Sequence, residues 1–532
     1  HLGAYRRPHG RAVQHVDVGW HDLASGVILT FCFPVTSVQI SEVGKSLQAS
    51  EILQDSAVVK MRVTQDNAIY VLLAVFVALS SLYAIVVPPF EASDELWHYP
   101  MVKHIADHWT LPVQDPENIG PWRQEGSQPP LYYWVAALAT FWIDTSDIET
   151  VRHLNPHVDN GVATADGNVN LITHHPAAEA FPWRGTTLAV RLIRLLSVLM
   201  GAAAVYLTYR LALALLTPFD LPFSKHPKLL ALGAAAIHAF TPMFVFISGA
   251  VNNDNLVIPL CSWALLLMVR LVTQKFPQRF GPQALRFIPL GVLVGLALLT
   301  KESAGGLVLL TALTVGYVAW HQHKSDGSGA GWRTFLTGGL ATGAPTLLIA
   351  GWWYLRNWQL YGDPTGQNVF IEILGQRDVP ANLAQLWRER ISFIRGYWGN
   401  FGGLNVPMAE WVYAALNVFA LLSVLGLALI LVIWLLRLTR GRAAPGQVRT
   451  SLLRRTKGRR DFHMAWLIIL AWPLLVVVLW ITWAANTWSS QGRLIFSAIS
   501  VWSLALALGW AFLTRLSVDA FRIRSFGSPF DE

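Results

Sequence analysis

The chain has 532 residues, 53% hydrophobic and 14% charged, with a net charge of +8 and a pI near 9.5. Ordinary soluble domains carry about 25% charged residues, so the composition argues against that class and for a chain that shows apolar surface to lipid as well as to its own core. The basic residues stand between apolar runs rather than on one face, which suits membrane topology and speaks against nucleic acid as a partner. Cys32 and Cys261 lie far apart without a CxxC pair, so neither a disulfide framework nor a thiolate zinc site is indicated.

Residues 1–60 are polar, bear Gly and His without a sustained helical stripe, and start at His1, whereas Met61 opens the more ordinary MRVTQDN before a hydrophobic helix. We expect an N-terminal extension over 1–60, poorly ordered or a small cytoplasmic appendage, whose GVILTFCFPV is too short and isolated to span. A membrane domain is expected over 61–520 and a short tail over 521–532.

The first span is the uncharged run from Ala68 to Val87, long enough for a hydrocarbon core of about 30 Å at about 1.5 Å per residue. Directly after it, PPFEASDELWHY places Glu91, Asp94 and Glu95 at the bilayer surface. Ser93 is positioned to cap a helix opening at Asp94, whose dipole favours acids in its first turn. Pro100 should kink that helix or delay its start. His104 and His108 have the i, i+4 spacing of zinc ligands but no clear third ligand, which leaves a solvated helix face.

LYYWVAALATFWI, 131–143, is too short to span and rich in aromatics, and reads as an interfacial or re-entrant segment. Further apolar runs near 190–216, 229–249, 255–272, 287–300, 303–320, 334–352, 412–436, 463–482 and 494–515 bring the expected spans to about ten. The connector 437–462 carries nine Lys or Arg against the single acid Asp461 and is expected in the cytoplasm. Counting spans from it puts both termini in the cytoplasm and two large loops, 88–189 and 353–411, outside. Their aromatic content argues for folded short helices rather than disorder. The expected fold is all-α, a polytopic membrane helix bundle with two large external loops. No internal repeat is evident, and no P-loop, GxGxxG or serine-triad motif occurs.

The order of span, SDELWHY, SQPPLYYWVAAL and RLIRLLSVLMG resembles the GT-C membrane glycosyltransferases, in particular the family 39 group related to protein mannosyltransferases and aminoarabinose transferases. Asp94, Glu95 and Tyr99 match its acidic motif, Pro129, Pro130, Leu131 and Trp134 its K-P-P-L-x-x-W, and Arg194, Leu195 and Ser197 its R-L-x-S. LTKESAG at 299–305 is similar to its T-K turn, while WWYLRNWQLYGDPTG at 352–366 and QGR at 491–493 are similar to its later external motifs. The likeness runs over residues 62–515. Gln128 departs from the group's Lys.

The resemblance implies transfer of a sugar from a polyprenyl-phosphate donor to a protein, lipid or glycan hydroxyl on the outer face of a plasma membrane. No cofactor is implied as certain, the lipid-linked sugar being the donor substrate, and a divalent metal is not indicated. A general base must take the acceptor proton, and Asp94 followed by Glu95 are the candidates. His98, four residues beyond Asp94, shares its helical face and can orient the carboxylate.

The leaving lipid phosphate calls for a cation. Lys301 stands first, in a short turn where it can also simply pair with Glu302. Arg356 and Arg493 follow, each equally able to anchor its helix by snorkelling. Asn252, Asn253 and Asp254 in GAVNNDNLV can bond sugar hydroxyls, although turn and capping roles suit them as well. The competing readings are a transporter or flippase of a lipid-linked sugar, and a noncatalytic scaffold. A transporter would place its polar groups at the midplane of paired halves, where this chain gathers acids at one surface.

Overall fold

The computed structural model describes residues 67–92, 94–162, 164, 167–217, 226–273, 283–440 and 459–526. The expected extension 1–60, the Ser93 cap, most of the basic connector 437–462 and the end of the tail lie outside the described residues. The first pass is α1 (Ala68–Val86), and the segment after it holds α2 (Glu95–His108), a 3-10 turn at Arg123–Ser127 and α3 (Leu131–Thr140). The membrane bundle resumes with α4 (Gly185–Leu216), the pair α5 (Pro227–Ala239) and α6 (Pro242–Ser248), α7 (Asp254–Thr273), α8 (Ile288–Leu298) and α9 (Gly306–Asp326).

Next comes α10 (Ser328–Thr346), which continues through a π segment at Leu347–Gly351 into α11 (Trp352–Tyr361), with Pro345 inside the helix just before the π turn. The second large loop contains α12 (Gln367–Leu374), α13 (Arg390–Trp398) and the antiparallel pair β1 (Asn400–Phe401) and β2 (Val406–Pro407). Then α14 (Glu410–Arg440), α15 (Arg459–Asn486) and α16 (Ile499–Phe526) close the chain, the last carrying helix into the expected tail.

Among the described residues eight helices are long and apolar enough to cross a membrane, and nine if α5 and α6, which meet at 66°, are counted together as one broken span. The remaining expected run is shorter: α8 has eleven residues, bounded by Pro289 in its first turn and by Lys301 and Glu302 after it. Interhelical packing relies on small residues, as expected where lipid competes for every apolar face. A Cβ on Gly291 of α8 would sit 2.3 Å from the Thr342 carbonyl of α10, so backbone touches backbone there. The core gathers Phe76, Phe244, Trp353 and Trp472, while Leu348, Leu421 and Leu474 stay exposed in the spans, as lipid-facing residues should.

Successive passes bring their ends to one side. Leu131 donates its N–H to the Leu299 carbonyl at 2.9 Å, Gln367 bonds Glu302 at 2.5 Å, and Arg377 reaches the Thr487 carbonyl at 2.7 Å. At the far end the Tyr317 hydroxyl donates to Asp461 at 2.8 Å. The helix through Pro100 starts at Glu95, so the proline does not delay it. Proline leaves the Leu96 carbonyl without its helical donor, and Arg152 Nε supplies one at 2.9 Å.

Candidate active site

The gathered ends enclose a cavity of about 880 Å³. Its polar wall includes Asp94, His98, Glu125, Gln128, Lys301 and Arg493, and its apolar wall runs along Val476, Leu479, Trp480 and Trp483 of α15. Residues separated by nearly four hundred positions thus share one wall.

Asp94 immediately precedes α2 and is the anion of this wall. Its carboxylate accepts from Arg493 Nη2 and, at 3.3 Å, from Asn252 Nδ2. Burial pushes the Asp94 carboxyl up, but Arg493, then His98 and Lys301, outweigh it and hold it below the usual carboxylate range. Arg493, in the 3-10 turn that leads into α16, is itself buried, with Nε on Gln491 Oε1 at 2.7 Å.

Glu95, the second candidate base, is not brought to the cavity wall. It is 1% exposed and accepts from Arg194 Nε at 2.8 Å and Nη2 at 2.6 Å, and from the N–H groups of Phe90 and Val251 at 2.8 Å each. Glu91 is likewise committed, to the N–H groups of Leu171 and Ile172 and to His174. The three acids of one motif have therefore three fates, decided by side-chain direction in the turn that leads into α2, which spacing alone does not reveal.

Lys301 lies between α8 and α9 and pairs with Asp254 at 2.6 Å, not with its neighbour Glu302. Asn253 donates to Gln128 Oε1 at 3.1 Å, joining the 250s turn to the QPP segment. Arg356 points elsewhere: it bonds the Pro112 carbonyl at 2.8 Å and lies over the Trp353 ring, outside the cavity. The His104 and His108 rings lie with centroids 5.0 Å apart and planes tilted by 59°. Among the described residues no group of three or more His, Cys, Asp or Glu is arranged to hold a metal ion.

Glu125, not singled out from the sequence, also faces the site. Its Oε1 accepts from Gln124 at 3.0 Å, and its Oε2 lies 3.3 Å from the Tyr133 hydroxyl and 3.4 Å from His98 Nδ1. The Tyr133 hydroxyl is 2.7 Å from the same His98 nitrogen. Burial, then the negative charge of Asp94, pushes the Glu125 carboxyl up to about 8. Burial pushes His98 down to about 4, so its imidazole is neutral at physiological pH. The only sequence signal was an acid four residues before the matched Pro129 and Pro130.

Residues 184–347 match the family model described as dolichyl-phosphate-mannose-protein mannosyltransferase. No curated protein matches. Among solved structures the chain is similar to the S. cerevisiae protein O-mannosyltransferase complex bound to the sugar donor, at 14% identity and a TM-score of 0.35 over 55% of this chain and 34% of that one. It is similar to ArnT from Cupriavidus metallidurans bound to undecaprenyl phosphate, at 14% and 0.39 over 84% and 63%, and to an Archaeoglobus fulgidus oligosaccharyltransferase, at 14% and 0.41 over 86% and 51%. The chain spans from about a third to under two thirds of the length of these three proteins. The family segment contains Arg194, Ser197, Asn253, Asp254 and Lys301, so the resemblance to family 39-like GT-C glycosyltransferases holds over that part of the chain.

Proposed function

We propose that this protein transfers a sugar from a polyprenyl-phosphate donor to a hydroxyl acceptor on the outer face of a plasma membrane. The observation that carries the reading is the convergence of one anion, Asp94, and two cations, Lys301 and Arg493, in a cavity whose other wall is the apolar flank of α15. A lipid phosphate needs both surfaces, cations for its headgroup and apolar side chains for its tail.

In the reaction the acceptor hydroxyl gives its proton to an Asp94 oxygen as its own oxygen attacks the anomeric carbon. The bond from that carbon to the phosphate oxygen breaks, and the lipid phosphate leaves with the electron pair. Lys301 and Arg493 stabilise the charge that collects on it. A carboxylate held low by Arg493 is a weak base. Phosphate binding competes for the same guanidinium, and drawing it toward the donor raises the basicity of Asp94 once the donor is seated. His98, one turn along α2, lines the same wall as Asp94. Gln128, Asn253 and Glu302 contribute the polar wall around the sugar, while Asp254 holds Lys301 in place and Glu95 supports the site's framework.

Sidedness follows from charge. Thr482, Trp483 and Asn486, at the end of α15, line the cavity, so the start of α15 and the nine-cation connector before it belong to the opposite end. The positive-inside tendency then assigns the connector and both termini to the cytoplasm and the cavity to the outer side.

The test is reconstitution of the purified protein in liposomes with labelled polyprenyl-phosphate sugars and a cell-envelope extract as acceptor. Label appearing on an acceptor, with polyprenyl phosphate released, supports transfer. Lipid-linked sugar that crosses the bilayer without being cleaved would make the protein a transporter instead.

A further inference from the structure

The chain buries two glutamates beside Asp94 under opposite conditions. Glu95 meets a guanidinium and two backbone N–H groups, whereas Glu125, 4% exposed, has the Gln124 amide, the Tyr133 hydroxyl and His98 as its hydrogen-bonding neighbours. A buried carboxylate without a cation within bonding distance is costly, and the inexpensive solution is to keep its proton. That proton has a defined place. Oε1 already accepts from Gln124, so the acid hydrogen sits on Oε2, which faces Tyr133 and His98.

We infer that Glu125 is a positioning residue that sets the tautomer of His98 through Tyr133, so that His98 presents an Nε2–H donor to a substrate oxygen in the cavity. This rests on the transfer reading above. With Glu125 neutral, its O–H donates to the Tyr133 oxygen, Tyr133 donates to His98 Nδ1 at 2.7 Å, and the imidazole proton is left on Nε2. With Glu125 ionised, the two bonds through Tyr133 reverse. Tyr133 then donates to Glu125, His98 Nδ1–H donates to Tyr133, and Nε2 becomes a bare acceptor, unable to bond a phosphate or hydroxyl lone pair.

No atom moves far between the two states and no net proton is required from the substrate. The groups facing Glu125 are Asp94 before α2, His98 on α2, Tyr133 on α3, Gln124 beside it in the 3-10 turn, and Lys301 between α8 and α9. Burial opposes ionisation most, Asp94 adds to it and Lys301 favours ionisation, placing the change near pH 8.

The experiment combines kinetics with 15N spectra of histidine-labelled protein, His98 being assigned by difference from His98→Gln. Wild type should show His98 protonated on Nε2 at pH 7 and passing to Nδ1 as pH rises through about 8, with donor turnover falling over the same interval. Glu125→Gln, whose amide keeps an N–H donor toward Tyr133, should hold the Nε2–H tautomer at pH 9 and lose the alkaline fall in kcat. Tyr133→Phe cuts the connection and should uncouple the tautomer from pH while lowering kcat about tenfold, the scale of one lost hydrogen bond. An Nδ1–H tautomer in wild type at pH 7, or an alkaline fall that persists unchanged in Glu125→Gln, would overturn the inference. The tautomer readout needs no turnover, so it stands even if the protein moves no sugar and the transfer reading fails.

Discussion

Replacing Glu95 by Gln tests whether two adjacent acids have the separate duties assigned to them. The Glu95 and Arg194 side chains are both 0% exposed, and Glu95 satisfies four donors at 2.6 to 2.8 Å. Gln removes the charge, leaves Arg194 buried without its counter-ion, and turns an NH2 group toward donors. Removing one partner of a buried ion pair costs about 3–5 kcal/mol. With an unfolding entropy of about 2.1 cal/mol/K per residue over the folded part of the chain, that lowers the melting temperature by about 4 °C.

Thermal unfolding in detergent, followed by tryptophan emission, measures it. The double variant Glu95→Gln with Arg194→Met removes the orphaned charge and should recover at least half of the loss, giving a non-additive cycle. A single variant within 1 °C of wild type, or two substitutions whose effects simply add, would refute the assignment of Glu95 to the framework.

Arg493→Gln removes the largest counter-charge on Asp94 and leaves burial in control, so the Asp94 carboxyl rises and the acid limb of kcat/KM moves to higher pH. In wild type the folded value is depressed, so the stability from this pairing is complete above the ordinary carboxylate value and disappears only as pH falls through the lower folded one. Lys301→Gln should lower kcat/KM about 100- to 1,000-fold, the effect of losing one preorganised donor to a developing anion, while circular dichroism stays that of wild type. Gly509→Val places a Cβ 1.9 Å from the Ser423 carbonyl, where α16 meets α14. Such a clash should abolish recovery of monodisperse protein, which size-exclusion chromatography reads directly.

Much of the bundle was legible because a span is a local property: charge-free length identifies it, and the runs at 68–87, 190–216, 255–272 and 412–436 recur as helices nearly residue for residue. The short α8 was less legible, since hydropathy does not register the proline and the charge pair that bound it. At the site, Asp94, Lys301 and Arg493 announced themselves as charges beside apolar runs, and the fold gathers all three. Their partners did not. Nothing in the local sequence pairs Lys301 with Asp254 rather than Glu302, or sends Glu95 inward to Arg194 while Asp94 faces the cavity. Glu125 was the least visible, because its importance lies in the absence of a bonded cation around it, which only the packed structure defines.

Single-turnover transfer by Asp94→Asn, with donor binding measured on the same preparation, tests the central assignment most directly. Binding of the polyprenyl-phosphate sugar should persist, while the rate of transfer falls about 100- to 10,000-fold, the range of a lost general base. Transfer at the wild-type rate in Asp94→Asn would contradict Asp94 as the base and with it the chemistry proposed for this cavity.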